Sequence, residues 1–320
     1  MSTIIEQISN IGIVPVIALD DVKDAKPLAK ALCDGGLPCA EITFRTAAAE
    51  ESIRIMASEF PEMLVGAGTV LTTDQVDRAV NAGAKFIVSP GLNPKIVAYC
   101  VEKNIPIVPG CANPSDVEQA IQLGLTTVKF FPAEQAGGLA MIKAMSAPYT
   151  NITFMPTGGI NASNLNDYLD FNKIVACGGS WMVNKDYVTA GEFDKITSLT
   201  KEAVQKMLGF SLRHIGINAK DEIEADETAT AFDSLFGFTK KVGNSSIFAG
   251  SAIEVMKSPF LGENGHIAIQ TNYMKRAVWH LSRQGFEFDM ETAKYDAKGN
   301  MLTVYFKKEL SGFAVHLIQK

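Results

Sequence analysis

From residue 13 to about 180 the chain repeats one pattern eight times: a short apolar run, a turn rich in Gly, Pro or Thr, and an amphipathic stretch. The runs are IVPVIAL (13–19), PCAEITF (38–44), MLVGAGTV (63–70), KFIVSP (85–90), IPIVPG (105–110), TTVKFFP (126–132), ITFMPTGG (152–159) and KIVACGG (173–179). Apolar runs of about four to eight residues bounded by turn signals predict parallel strands buried on both faces. The stretches between them include DVKDAKPLAKALCDGG, TTDQVDRAVNAGA, NPKIVAYCVEKN and NPSDVEQAIQLG. They open on Asp, Thr or Asn and close on Gly or Asn, as capped helices do. Asn161 and Ser163 open a further helix after the seventh run in the same way. Eight such units predict an α/β fold, a closed (β/α)8 TIM barrel. An open doubly wound sheet would carry a glycine fingerprint after its first strand, and IVPVIALDD has none. Helices over 3–10 and 192–207 close the ends.

The texture changes at Phe210. FSLRHIGINA, SSIFAG, SAIEVMKSP, NGHIAIQT, MLTVYFKK and FAVHLIQK alternate like half-buried strands, while 226–236 and 273–284 read as helices. The helices follow RHIGINA and GHIAIQT at corresponding places, so the tail reads as a smaller α+β domain of two βαβββ modules. The predicted division is 1–208 and 209–320.

Bulk properties narrow the function. The net charge is −6 at pH 7, with Lys and Arg scattered, which excludes a basic footprint for nucleic acid or a membrane surface. No apolar run approaches the about 20 residues that span a bilayer, and MSTIIEQISN, with acid and polar residues inside its apolar pattern, does not read as a signal peptide. Five cysteines without a C-x-x-C pair read as reduced thiols of a cytoplasmic protein.

The chemistry gathers where barrel strands end. Lys129 lies inside TTVKFFP with apolar neighbours on both sides. A buried ammonium costs several kcal/mol unless paired or deprotonated, and the neutral amine is the form that attacks a ketone. The plainer alternative is a lysine snorkelling at a strand end or a buried ion pair. Glu41, on the second run, stands on an even-numbered strand as Lys129 does, so the two can share a layer of the barrel interior and exchange protons. Gly158–Gly159 and Gly178–Gly179–Ser180 follow the seventh and eighth strands, where barrels commonly bind phosphate.

EITFRT, VGAGTV, SPG, VKFFPAE, PTGGI and GGSW, in this order and spacing, resemble the 2-keto-3-deoxy-6-phosphogluconate (KDPG) and 4-hydroxy-2-oxoglutarate (KHG) aldolase family over residues 4–207. The resemblance implies a class I aldolase, needing no cofactor, that cleaves a phosphorylated keto acid to pyruvate and glyceraldehyde 3-phosphate. It makes Lys129 the Schiff-base lysine and Glu41 the proton shuttle. It gives the carboxylate to Arg45 and Thr69, the pyruvyl pocket to Pro90 and Phe131 with Thr157 nearby, and the phosphate to Gly158, Gly159, Gly179 and Ser180. A homotrimer through the barrels is implied as well. One loop departs from the pattern: PGCANPSD carries Asn113 where the family more often has Thr.

The paired βαβββ modules resemble the vicinal-oxygen-chelate, or glyoxalase-type, fold. That resemblance implies a divalent metal held by residues on the first and last strand of each module, here His214, Glu254, His266 and His316. Three of the four histidines therefore fall on ligand positions; His280 does not. The family's usual last ligand is Glu, and His316 stands there instead. The tail is then a second metal-dependent enzyme, a small-acid sensor, or a metal-free structural module; a barrel reduced to a binding scaffold is the remaining alternative.

Overall fold

Eight short parallel strands build the first sheet of the protein, whose computed structural model describes residues 3–320. They are β1 (Ile13–Ile17), β2 (Cys39–Thr43), β3 (Leu64–Gly68), β4 (Phe86–Ser89), β5 (Ile107–Cys111), β6 (Thr127–Phe130), β7 (Thr153–Pro156) and β8 (Cys177–Gly179). Seven fall inside the apolar runs, and β5 runs one residue past its own, to Cys111. β1 to β7 pair in chain order and β8 returns to β1. Among the described residues, the circuit closes between β7 and β8 through two isolated bridges, Phe154–Ile174 and Thr157–Gly178. β2, β3 and β5 are buried along their whole length, as strands with helices outside and packed side chains inside must be.

Local chemistry sets the outer helices. Thr72, Asn93 and Asn113 each accept a first-turn backbone N–H, and Pro94 and Pro114 occupy the position where a missing N–H costs nothing. Thr3 and Glu6 form a capping box at the first helix, Ile4–Ile11. The helix after β7 differs from the expectation. It begins at Leu165, and Asn161 Oδ1 instead accepts from the backbone and hydroxyl of Ser163 in a turn ahead of it. Four of the five cysteines are buried. No helix among the described residues is long and apolar enough to cross a membrane.

The chain divides into two compact units, one ending at Met207 and one spanning Leu208–Lys320. The second is a single eight-stranded sheet made from β9 (Ser211–Asn218), β10 (Lys240–Val242), β11 (Ser246–Ala249), β12 (Ile253–Met256), β13 (Gly265–Thr271), β14 (Phe288–Tyr295), β15 (Met301–Phe306) and β16 (Phe313–Gln319). The order β10-β11-β12-β9-β13-β16-β15-β14 is two βαβββ modules joined by the antiparallel β9–β13 pair. In the first module the helix Glu222–Phe236 packs Ala225 and Ala229 against Ile247 and Val255.

Two strands carry no alternating run in the sequence. β10 is a three-residue edge with Lys241 and Val242 exposed, so no buried face imposes a pattern. β14 is the opposite edge, and its register slips between Asp289 and Lys294, which interrupts the period of two.

Candidate active site

All eight strands of the barrel run the same way, so residues just past their C-terminal ends surround one mouth. Two charged residues are buried beneath it. Glu41 is 1% exposed and Lys129 5%. Lys129 Nζ donates to Glu41 Oε1 across 3.2 Å, and Glu41 Oε2 has no hydrogen-bond partner among the described residues. The same ammonium lies 5.3 Å from the centre of the Phe131 ring, within cation–π range. Space for the carboxylate comes from Gly68: a Cβ there would stand 2.2 Å from Glu41 Oε1 and 2.6 Å from its Cγ. Deleting one member of such a buried pair typically costs about 3–5 kcal/mol, because the other is left uncompensated.

The remaining expected residues lie at or just past the C-terminal ends of the strands. Arg45 Nε donates to Thr43 Oγ1 at 3.1 Å, and that buried hydroxyl donates in turn to the Ile17 carbonyl of β1 at 2.9 Å. Thr69 follows β3 with φ of 54°, a left-handed conformation that a β-branched residue rarely adopts. Strain of this kind costs about 1–3 kcal/mol and persists where the surroundings over-determine it. Pro90 follows β4, and Phe131 follows β6. Thr157, just past β7, is 5% exposed with its hydroxyl unpartnered among the described residues. Gly158 and Gly159 come next with φ of 101° and 81°, two successive positive values that glycine alone adopts freely. Gly179 ends β8 and Ser180 is exposed beyond it. The Thr157–Gly178 bridge joins these two rims. Asn113 is spent locally: its Oδ1 accepts from the Asp116 N–H and its amide donates to the Asp116 carboxylate.

In the tail, strand register places the four metal candidates on one face. Across the sheet, Phe248, Glu254, Gly216 and His266 lie in one row; His214, Ala268, His316 and Tyr305 lie in the next. The rows are related by the exchange of the two modules, so His214 corresponds to His266 and Glu254 to His316. Gly216 and Ala268 keep the middle of each row low; a Cβ on Gly216 would lie 2.0 Å from His266 Cε1. Glu254 Oε2 is 3.0 Å from His214 Nε2 and 3.2 Å from His266 Nε2, and those two nitrogens are 3.1 Å apart. One ligand atom from each of His214, His266 and His316 falls within 4.8 Å of the others. Burial, followed by the neighbouring His266 and His214, pushes His316 down to about 4, so it is neutral at pH 7. Burial opposes ionisation of Glu254, but hydrogen bonds from His214, His266 and Ser246 outweigh it and hold the carboxyl well below its ordinary value. The cluster opens into a cavity of about 700 Å³ lined also by Phe260, Lys294 and Tyr305.

Sequence reading missed the residues that serve the expected ones. Thr43 was visible two residues after Glu41, on the same face, yet nothing in a motif marks its hydroxyl as the rest for Arg45. Gly68 and Gly216 are legible only once strand pairing shows what stands opposite. Tyr305, stacked on His316 with ring centres 4.6 Å apart, sits within an ordinary strand run.

The family model described as KDPG and KHG aldolase matches residues 4–199. The 2-dehydro-3-deoxy-phosphogluconate aldolase of Treponema pallidum is 47% identical over 205 residues, 64% of this chain and 98% of that protein. Its namesake from Haemophilus influenzae is 50% identical over 201 residues, 63% of this chain and 95% of that protein. A crystal structure of KDPG aldolase from Legionella pneumophila, with pyruvate captured at low pH as a covalent carbinolamine intermediate, is 36% identical with a TM-score of 0.61, covering 63% of this chain and 98% of that one.

Proposed function

The chain belongs to the KDPG and KHG aldolase family, and on that footing we propose that its barrel is a class I aldolase acting through Lys129. It cleaves 2-keto-3-deoxy-6-phosphogluconate to pyruvate and glyceraldehyde 3-phosphate, and 4-hydroxy-2-oxoglutarate to pyruvate and glyoxylate. The observation that carries the reading is the buried Lys129–Glu41 contact of 3.2 Å, with the second carboxylate oxygen unpartnered among the described residues.

The chemistry follows from those atoms. Lys129 Nζ attacks the C2 ketone, and loss of water leaves an iminium. Glu41, through a water, removes the C4 hydroxyl proton; the C3–C4 bond breaks and its electrons enter the iminium to give an enamine while the aldehyde departs. Protonation at C3 and hydrolysis release pyruvate and restore the lysine. Arg45, resting on Thr43, grips the carboxylate with charge-assisted hydrogen bonds, and Thr69 takes its other side. Pro90, Phe131 and Thr157 wall the pyruvyl group. Gly158, Gly159, Gly179 and Ser180 receive the phosphate on backbone and hydroxyl donors. The reading includes assembly as a homotrimer through the barrels and a cytoplasmic location. Borohydride added with pyruvate is expected to fix a reduced adduct on Lys129, read by peptide mass spectrometry. An adduct on another lysine, or none on intact protein, overturns the reading.

A second reading concerns the tail, which we take as a vicinal-oxygen-chelate-type module with a divalent metal on His214, Glu254, His266 and His316. Its support is the set of three ligand-atom separations, 3.0, 3.1 and 3.2 Å. Ligands about 2.0–2.1 Å from a tetrahedral ion stand about 3.3 Å from one another, so these atoms nearly outline one face of such a shell. Both ring nitrogens of His316 lack partners among the described residues, and its imidazole, held neutral by burial, has a lone pair to give. A bound ion would supply Lewis acidity towards a keto-acid or enediolate oxygen. The four side chains would hold it; Ser246 steadies Glu254, and Tyr305 covers His316.

A further inference from the structure

The loops after β6 and β7 are tied together by two side chains outside every residue assigned above. Glu134 lies in the loop between β6 and the helix Gly138–Ser146. Its backbone N–H donates to the Gly158 carbonyl at 3.1 Å, next to the Ala133 N–H on the Thr157 carbonyl at 2.8 Å. Its side chain supports Gly159, where a Cβ would stand 2.4 Å from Glu134 Cγ. Its carboxylate accepts the hydroxyl of Tyr168, which comes from the helix Leu165–Leu169 and is 2% exposed. That hydroxyl also lies against the first residue of the helix Gly138–Ser146, where a Cβ on Gly138 would stand 3.2 Å from it. One phenol thus fixes the loop after β6, the start of its helix, and the direction of the Glu134 charge.

The consequence falls on the glycine turn. Gly158 O is held by Glu134, and Gly159 O by the side-chain amides of Asn164 at 3.1 Å and Asn161 at 3.3 Å. In a planar trans peptide the N–H points opposite to the C=O. Anchoring both carbonyls therefore turns the N–H groups of Gly159 and Ile160 away from Glu134 and the asparagines, as a pair of anion donors. We propose that Glu134, steered by the buried Tyr168 hydroxyl, is a positioning residue that presents these donors to the substrate phosphate and keeps its own negative charge turned aside. The proposal rests on reading Gly158–Gly159 as the phosphate turn. Burial and the adjacent Glu134 push the Tyr168 phenol far above its ordinary value, so it remains a donor throughout the neutral range.

Releasing the carboxylate should penalise a dianionic ligand more than an unphosphorylated one, since like charges nearby repel. In the full chain, Tyr168→Phe is expected to raise KM for the phosphorylated substrate about 5- to 20-fold with kcat within about twofold. KM for 4-hydroxy-2-oxoglutarate should stay within about twofold. Calorimetric binding of inorganic phosphate should weaken by the same factor as the phosphorylated substrate. Adding Glu134→Gln to Tyr168→Phe removes the freed charge and should restore most of the loss. Equal KM changes for both substrates, unchanged phosphate binding, or no rescue by Glu134→Gln would overturn the proposal. Wild-type protein that cleaves neither substrate defeats the aldolase reading instead, and the phosphate titrations still decide the role of the Tyr168–Glu134 pair.

Discussion

The barrel and the tail both bury ionisable groups, and they do so by different routes. In the barrel, Lys129 and Glu41 come from strands four apart in the circuit, and closure of the sheet brings their side chains to 3.2 Å. In the tail, His214, Glu254, His266 and His316 come from four adjacent strands of an open sheet, and register alone assembles them. The barrel's pair is compensated within itself. The tail's three imidazoles face one carboxylate, and two of the three carry a ring nitrogen with no partner among the described residues. A closed barrel can place opposite charges across its lumen, whereas one face of a sheet gathers like residues from equivalent positions of two modules.

The largest expected effect tests the barrel's half of that contrast. Glu41→Gln should lower turnover by about 10²- to 10⁴-fold while pyruvate trapping on Lys129 remains detectable, because proton transfer is lost and the nucleophile kept. Unchanged turnover would make Glu41 a structural partner only. For the tail, His214→Ala with His266→Ala should abolish binding of a stoichiometric divalent metal, measured by elemental analysis after reconstitution with Zn²⁺, Ni²⁺, Mn²⁺ or Fe²⁺. Aldolase turnover should stay within about twofold in the same variant. Wild-type protein that binds none of these ions at micromolar concentration removes the metal reading.

Smaller perturbations ask whether the two glycines do equivalent work. A Cβ on Gly68 meets Glu41 Oε1 and Cγ, so Gly68→Ala should cost about 10- to 100-fold in turnover through a displaced carboxylate. A Cβ on Gly216 meets the ring of His266, so Gly216→Ala should weaken metal binding by about 10- to 100-fold, at the lower end if the imidazole can tilt. Should Gly68→Ala leave kinetics untouched, the fit between β2 and β3 is looser than the packing implies.

The same contrast explains what could be read from the chain. Strand-end motifs such as EITFRT and VKFFPAE are contiguous, so Glu41, Arg45 and Lys129 announce themselves, and eight apolar runs give the eight strands of the barrel. The supporting atoms are invisible because they act across pairings: Thr43 on the Ile17 carbonyl, Gly68 beneath Glu41, Tyr168 on Glu134. In the tail the histidines were legible from their place on matching strands. The edges β10 and β14 were not, since an edge strand exposed on one side or broken by a bulge is under no demand to alternate. Asn161 and Ser163 misled for a related reason: their composition suits either a helix cap or an Asx turn, and the local geometry chose the turn.

The seam between β7 and β8 closes on two isolated bridges where every other neighbouring pair shares a ladder. A hoop with one thin weld is expected to open there first, which hydrogen exchange at Thr157 and Gly178 would show as the fastest in the barrel strands. The loops on either side of that weld carry Gly158–Gly159 and Gly179–Ser180. A phosphate that engages both loops spans the weld, and by mass action whatever binds only the closed hoop also holds it shut. On the proposed phosphate reading, substrate occupancy and circumferential stiffness would be one equilibrium viewed from two sides, and an enzyme short of substrate would be a barrel with slack in its rim.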